Sequence, residues 1–145
     1  MSFLETFKQG ITTQSAEETQ AIAKELAAVL PEECTLALHG DLGTGKTTFI
    51  QGLALAWEIS KPITSPTFNL YCIYEGTRRL IHMDAYRLEK PEEAEALLLE
   101  DFLIPPYCLA IEWPTKLGNT LDANAWHIEF GIQEAGIHTL QLKKI

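Results

Sequence analysis

Between Leu36 and Leu55 the chain reads LALHGDLGTGKTTFIQGLAL, with Gly40, Gly43 and Gly45 crowded just ahead of Lys46. Glycine costs a helix or strand interior roughly 0.5–1 kcal/mol relative to alanine. A chain that places three of them between an apolar run and an amphipathic one is therefore meeting another demand. Gly40 through Thr47 fits GxxxxGK[ST], the loop that wraps phosphate groups. Such a loop points successive backbone N–H groups inward and lets main chain touch phosphate oxygens, which side chains would obstruct. The spacing predicts a buried strand at Cys34–Leu38 before the loop and a helix from about Lys46 to Trp57 after it. The positive end of that helix then faces the anion. Lys46 is expected to reach the β- and γ-phosphates, and the Thr47 hydroxyl to coordinate Mg²⁺.

The rest of the chain has to supply a fold that holds this loop. Ser15 and Glu18 have capping-box spacing, and Ala23, Leu26, Ala27 and Leu30 then recur on one helical face. Phe3–Ile11 reads as a short strand-like lead. FNLYCIY and RLIHMD are β-rich runs joined by a turn signal and are expected to form a hairpin. KPEEAEALLLEDFL reads as one helix, with Pro91 at its first position and acids in its first turn. CLAIEW is a further buried strand, and WHIEFGI with HTLQLKK alternate as an antiparallel C-terminal pair. Helices alternating with apolar strands, followed by strands gathered at the end, predict an α/β fold. Its sheet is mixed, with a parallel core and added antiparallel strands. With 145 residues, one domain spanning 1–145 is expected.

A phosphate loop needs an acid at the end of a neighbouring strand to orient Mg²⁺ and water. Asp84, ending RLIHMD, and Glu112, ending YCLAIE, both qualify, and the residues alone do not say which takes which role. Thr64-Ser65-Pro66-Thr67 lies in the loop where a switch hydroxyl could approach the γ-phosphate, a plain proline turn being the equal alternative. His39 and His82 read as structural or hydrogen-bonded histidines, and Trp113 as a tryptophan at the edge of the core.

Charge narrows the function. Twenty acids against 11 bases give a net charge of −9, a surface that repels nucleic acid, so any link to it is expected through a partner. The three cysteines show no CxxC spacing, which points away from zinc and toward a reducing cytoplasm. No apolar run reaches the ~18 residues of a membrane span, and the N-terminus lacks a signal-like apolar region. The arginines are only Arg78, Arg79 and Arg87 and no lid-sized insertion is present, which disfavours a small-molecule or nucleotide kinase, the main rival reading. No NKxD guanine-reading motif occurs.

SAEET, GDLGTGKTTF, SPTF, HMDAYRL and IEWP occur in one order across Ser15–Pro114. In that ordered set the chain resembles the TsaE (YjeE) family, small P-loop ATPases of tRNA threonylcarbamoyladenosine biosynthesis. The resemblance implies a three-layer P-loop fold and ATP and Mg²⁺ as cofactors, with ATP bound by Asp41, Leu42, Gly43, Thr44, Gly45, Lys46, Thr47 and Thr48 and Mg²⁺ held by Thr47 and Glu112. It further implies Asp84, with Lys46, as the residues acting in hydrolysis and Thr67 as the switch hydroxyl. The implied partners are the TsaB–TsaD pair, with tRNA reached only through them and hydrolysis slow and dependent on that pair. Two positions depart from the family pattern: Thr44 stands where Ala or Ser is usual, and Thr115 where an acid or amide is common.

Overall fold

The computed structural model describes residues 2–64, 66, 70–95 and 99–145. Seven strands form one sheet: β1 (Ile11–Thr13), β2 (Glu33–His39), β3 (Tyr71–Tyr74), β4 (Arg79–Asp84), β5 (Tyr107–Glu112), β6 (Trp126–Glu134) and β7 (Ile137–Lys144). Their spatial order is β1-β7-β6-β2-β5-β4-β3. Neighbours within β6-β2-β5-β4 run parallel, while β7 and β1 on one edge and β3 on the other are antiparallel. The expected parallel core with antiparallel additions is thus observed, and β3–β4 and β6–β7 are the two hairpins read from the sequence.

Strand burial explains the layering. Cys34, Leu36 and Leu38 of β2, Leu80 of β4, Cys108 and Ala110 of β5, and Ile128 and Phe130 of β6 share one core. They pack there against Phe7 of α1 (Phe3–Gln9), Ala23 and Leu26 of α2 (Ala16–Ala27), and Phe49, Ile50 and Leu53 of α3 (Lys46–Ala56). Alternate residues Ile81, Met83, Leu109 and Ile111 point to the opposite face, where Leu88 and Leu117 cover them. The three longer helices lie on the first face. The second carries 3₁₀ turns at Leu99–Phe102 and Pro114–Thr120 and the short α4 (Glu92–Glu95), so the outer layers of the three-layer fold are unequal.

Local chemistry sets the helix starts. Ser15 Oγ accepts from Glu18 N at 3.1 Å while Glu18 Oε1 accepts from Gln14 N at 3.1 Å, a capping arrangement at the predicted place. Phe3–Gln9 is a correction: it is helical, not strand-like. Ser2 caps it by accepting from Glu5 N at 3.2 Å, and fully buried Phe7 supplies its anchor. Gly10, at φ 106°, ends this helix and lets β1 start at Ile11. The single helix expected over KPEEAEALLLEDFL is also corrected. The described residues there form α4 and, at Leu99–Phe102, a 3₁₀ turn in place of α-helix, with 96–98 outside them. The start of the FNLYCIY run, residues 68 and 69, likewise lies outside the described residues. Among the described residues no helix is long and apolar enough to cross a membrane.

Candidate functional site

The glycine-rich segment links β2 to α3 at the C-terminal end of the parallel strands, where open α/β sheets bind ligands. Two of its glycines have visible reasons. A Cβ at Gly40 would stand 2.7 Å from the Phe130 carbonyl oxygen and 2.8 Å from Thr44 Oγ1, so only hydrogen fits. Gly45 caps α3 in the left-handed region at φ 102°, which turns the chain into the helix without a side-chain cap. Thr44, buried, donates its hydroxyl to the Asp41 carbonyl at 2.7 Å and closes the loop on itself. Its own carbonyl lies 3.0 Å from His138 Nδ1, on β7.

Lys46, the first residue of α3, is 4% exposed. Its ammonium donates to the Gly40 carbonyl and lies 4.3 Å from the centre of the Trp113 ring. Burial pushes its pKa below the usual lysine range, against the opposing pull of Glu112, Asp84 and Asp41. Trp113 itself sits at φ 59° and ψ 50°, a left-handed conformation rare for a bulky residue, and its ring packs 5.1 Å from that of Tyr86. The edge-of-core reading of Trp113 is therefore only half of its role: it packs on the second core and also faces the loop lysine.

The two candidate acids are brought together. Asp84 and Glu112 are register partners at the ends of β4 and β5, and Glu112 also pairs with Leu38 of β2. Glu112 is thus on the strand beside the loop-bearing strand and Asp84 is one strand further out. The Thr47 hydroxyl lies 3.4 Å from Glu112 Oε2, and Asp84 Oδ1 accepts from Tyr86 N at 3.0 Å. A cavity of about 260 Å³ is lined by Gly45, Lys46, Thr47, Thr48, Asp84 and Glu112. On the other side of the loop an open cavity of about 600 Å³ runs between His39, Asp41, Leu42, Trp113 and Ile132. Thr67 and Ser65 lie outside the described residues; Pro66 is buried.

The oxygen donors present suit a hard cation. Thr47 supplies a hydroxyl and Glu112 and Asp84 supply carboxylates, the ligand types Mg²⁺ takes. Among the described residues no group of three or more His, Cys, Asp or Glu could hold a metal alone.

Three histidines were not legible as parts of this site. His82, fully buried, approaches Glu112 Oε2 at 2.6 Å through Nε2. It is hydrogen-bonded, as its sequence suggested, but to a candidate metal ligand. His39 Nε2 lies 2.8 Å from His127 Nδ1, the rings 5.1 Å apart and stacked, at the mouth of the larger cavity. Burial, then His127, holds His39 below the ordinary histidine range, with Glu129 opposing and Lys46 adding a smaller push. His127 is lowered by burial and by Lys144.

The family model described as "Threonylcarbamoyl adenosine biosynthesis protein TsaE" matches residues 13–139. The chain belongs to the TsaE family. Among curated relatives, the "tRNA threonylcarbamoyladenosine biosynthesis protein TsaE" of Bacillus subtilis is 42% identical over 102 residues, 70% of this chain and 63% of the relative. The protein of the same name from Treponema pallidum is 35% identical over 109 residues, 75% of this chain and 81% of the relative. That from Nostoc is 42% identical over 106 residues, 70% of this chain and 65% of the relative. The match thus spans under two thirds of the Bacillus and Nostoc proteins' own length. The crystal structure of Bacillus subtilis YdiB superposes with a TM-score of 0.74 at 30% identity, covering 92% of this chain and 82% of that one. The match extends the resemblance read over Ser15–Pro114 into the C-terminal strands and agrees with a P-loop NTPase-like architecture.

Proposed function

We propose that this chain is a cytoplasmic, single-domain Mg²⁺-dependent ATPase whose slow, partner-dependent hydrolysis serves tRNA threonylcarbamoyladenosine modification by the TsaB–TsaD complex. One observation carries the reading. A glycine loop opens a helix at Lys46, and the Thr47 hydroxyl lies 3.4 Å from Glu112 at the end of the adjacent parallel strand. Backbone N–H groups of Asp41–Thr48 and the N-terminus of α3 cradle the phosphates. Lys46 exchanges the Gly40 carbonyl and the Trp113 ring for β- and γ-phosphate oxygens. Thr47 and Glu112 would hold Mg²⁺, which when bound would supply charge neutralisation to the phosphates. Asp84, one strand further from the loop, orients the attacking water, and Thr67 carries the switch hydroxyl. The cavity of about 600 Å³ beside the loop is large enough for the base and ribose. The family's association with tRNA supports the pathway. The net charge of −9 supports tRNA being held by the partners rather than by this chain.

The test is phosphate release from ATP with and without the TsaB–TsaD pair. Stimulation by the pair, lost in Lys46→Ala, is expected. Release indifferent to the pair but raised by a small metabolite would overturn the reading in favour of a kinase.

A further inference from the structure

We propose that His82 is a positioning residue for the carboxylate of Glu112, holding it from behind in the orientation that a cation at Thr47 requires. The proposal rests on the reading of Thr47 and Glu112 as metal ligands. His82 lies on β4 opposite Ala110 of β5, one rank behind the Asp84–Glu112 pair and on the same sheet face as Leu80 and Cys108. The small side chain of Ala110 leaves room for the ring to reach past it toward Glu112.

Among the described residues His82 has no other hydrogen-bonding task. It is 0% exposed, and its Nδ1 has no hydrogen-bond partner among the described residues. Leaving a buried ring nitrogen unpaired costs about 1–3 kcal/mol, so an apolar residue would serve packing better at this position. What offsets that cost is the short contact to Glu112 Oε2, at 2.6 Å, a little closer than the ~2.7–2.9 Å of charge-assisted N–H···O bonds. A carboxylate can only accept, so Nε2 carries the hydrogen and donates it. Glu112 is itself 6% exposed and its Oε2 is met from two sides, by His82 at 2.6 Å and by the Thr47 hydroxyl at 3.4 Å. The contact to Thr47 is the longer and looser one; the bond to His82 fixes the carboxylate plane. Partners of this kind behind a metal-binding carboxylate typically change metal affinity 10–100-fold when removed.

The test uses the full chain with His82→Phe, His82→Asn and His82→Gln. Mn²⁺ binding to the complex with a non-hydrolysable ATP analogue is read by electron paramagnetic resonance, and analogue binding in chelator is read by calorimetry. The Phe variant keeps the ring volume and loses the donor, the Asn amide falls short of Glu112, and the Gln amide reaches the place of Nε2. Phe and Asn should weaken Mn²⁺ binding about tenfold or more, with metal-free analogue binding unchanged, and Gln should restore most of the loss. Unchanged Mn²⁺ affinity in Phe and Asn, an equal loss in chelator, or Gln no better than Asn would overturn the proposal. Should the Phe variant fail to fold, the Gln–Asn comparison decides alone. A wild-type chain that binds no analogue with or without metal would instead bring down the ATPase reading, and this one with it.

Discussion

Replacing Lys46 by methionine separates what the lysine does for the fold from what it does for the ligand. Methionine keeps the unbranched stem and deletes the ammonium. The folded chain then loses a charge-assisted hydrogen bond to the Gly40 carbonyl, about 1.5–3 kcal/mol. It also loses a cation–π contact with Trp113, about 0.5–2 kcal/mol. Against this, the variant escapes the desolvation of a buried ion, several kcal/mol. The sign follows from the proton affinity. Burial outweighs the pull of Glu112, Asp84 and Asp41 and depresses the pKa, so the charged form is held at net cost. Lys46→Met should therefore leave unfolding free energy within about 1 kcal/mol of wild type, or raise it. Nucleotide affinity should fall ~10²–10⁴-fold, the worth of two charge-assisted contacts to phosphate at ~1.5–3 kcal/mol each. The pH dependence gives a second check. The unfolded lysine, with its ordinary value of 10.5, keeps its proton over an alkaline window in which the folded one has released it. Stability from this group thus rises with pH through that window, and the wild type gains stability relative to the variant there. Urea unfolding and calorimetric titration with ATP analogue measure both quantities. A loss of more than about 2 kcal/mol in stability, or less than a tenfold loss in affinity, would refute this account of the lysine.

Three further outcomes are expected. Glu112→Ala should weaken nucleotide binding in Mg²⁺ but not in chelator, while Asp84→Asn should spare binding and slow phosphate release; the reverse pattern in parallel titrations and turnover assays would exchange their roles. Phe49→Ala removes a fully buried ring that meets Phe130 edge-on at 5.4 Å, and should cost about 3–5 kcal/mol in urea unfolding. Because His39 and His127 are held below the ordinary histidine value of 6.5, the unfolded chain takes up their protons first, and stability falls as pH drops below that value through the folded ones. The double variant His39→Asn, His127→Asn should flatten that acid limb when unfolding is compared at several pH values between 7.5 and 5.

What the sequence made legible follows the range of the interactions involved. The glycine-rich loop is local: strand, glycines, lysine and helix lie within about 20 consecutive residues, and the same applies to the Ser15–Glu18 cap. Apolar runs of five or six residues marked β2, β4 and β5 because strands buried on both faces need little else. Phe3–Gln9 misled because seven residues carry too few periods to tell helix from strand, and its deciding feature is the cap at Ser2. Which of Glu112 and Asp84 lies on the strand beside the loop-bearing strand depends on the strand order, which places β5 and not β4 beside β2. Contacts across 30 residues, from His82 to Glu112, or 94, from His138 to Thr44, leave no periodic trace in a single chain. Only an unpaired polar residue inside an apolar run, as at His82, hinted that something waited across the sheet.

The most direct measurement is a crystal structure with a non-hydrolysable ATP analogue and Mg²⁺. Phosphate density enclosed by the amides of residues 41–48, with Lys46 turned from Gly40 onto it and a cation between Thr47 and Glu112, is the predicted result. Analogue bound elsewhere while Lys46 stays on the Gly40 carbonyl would contradict the account.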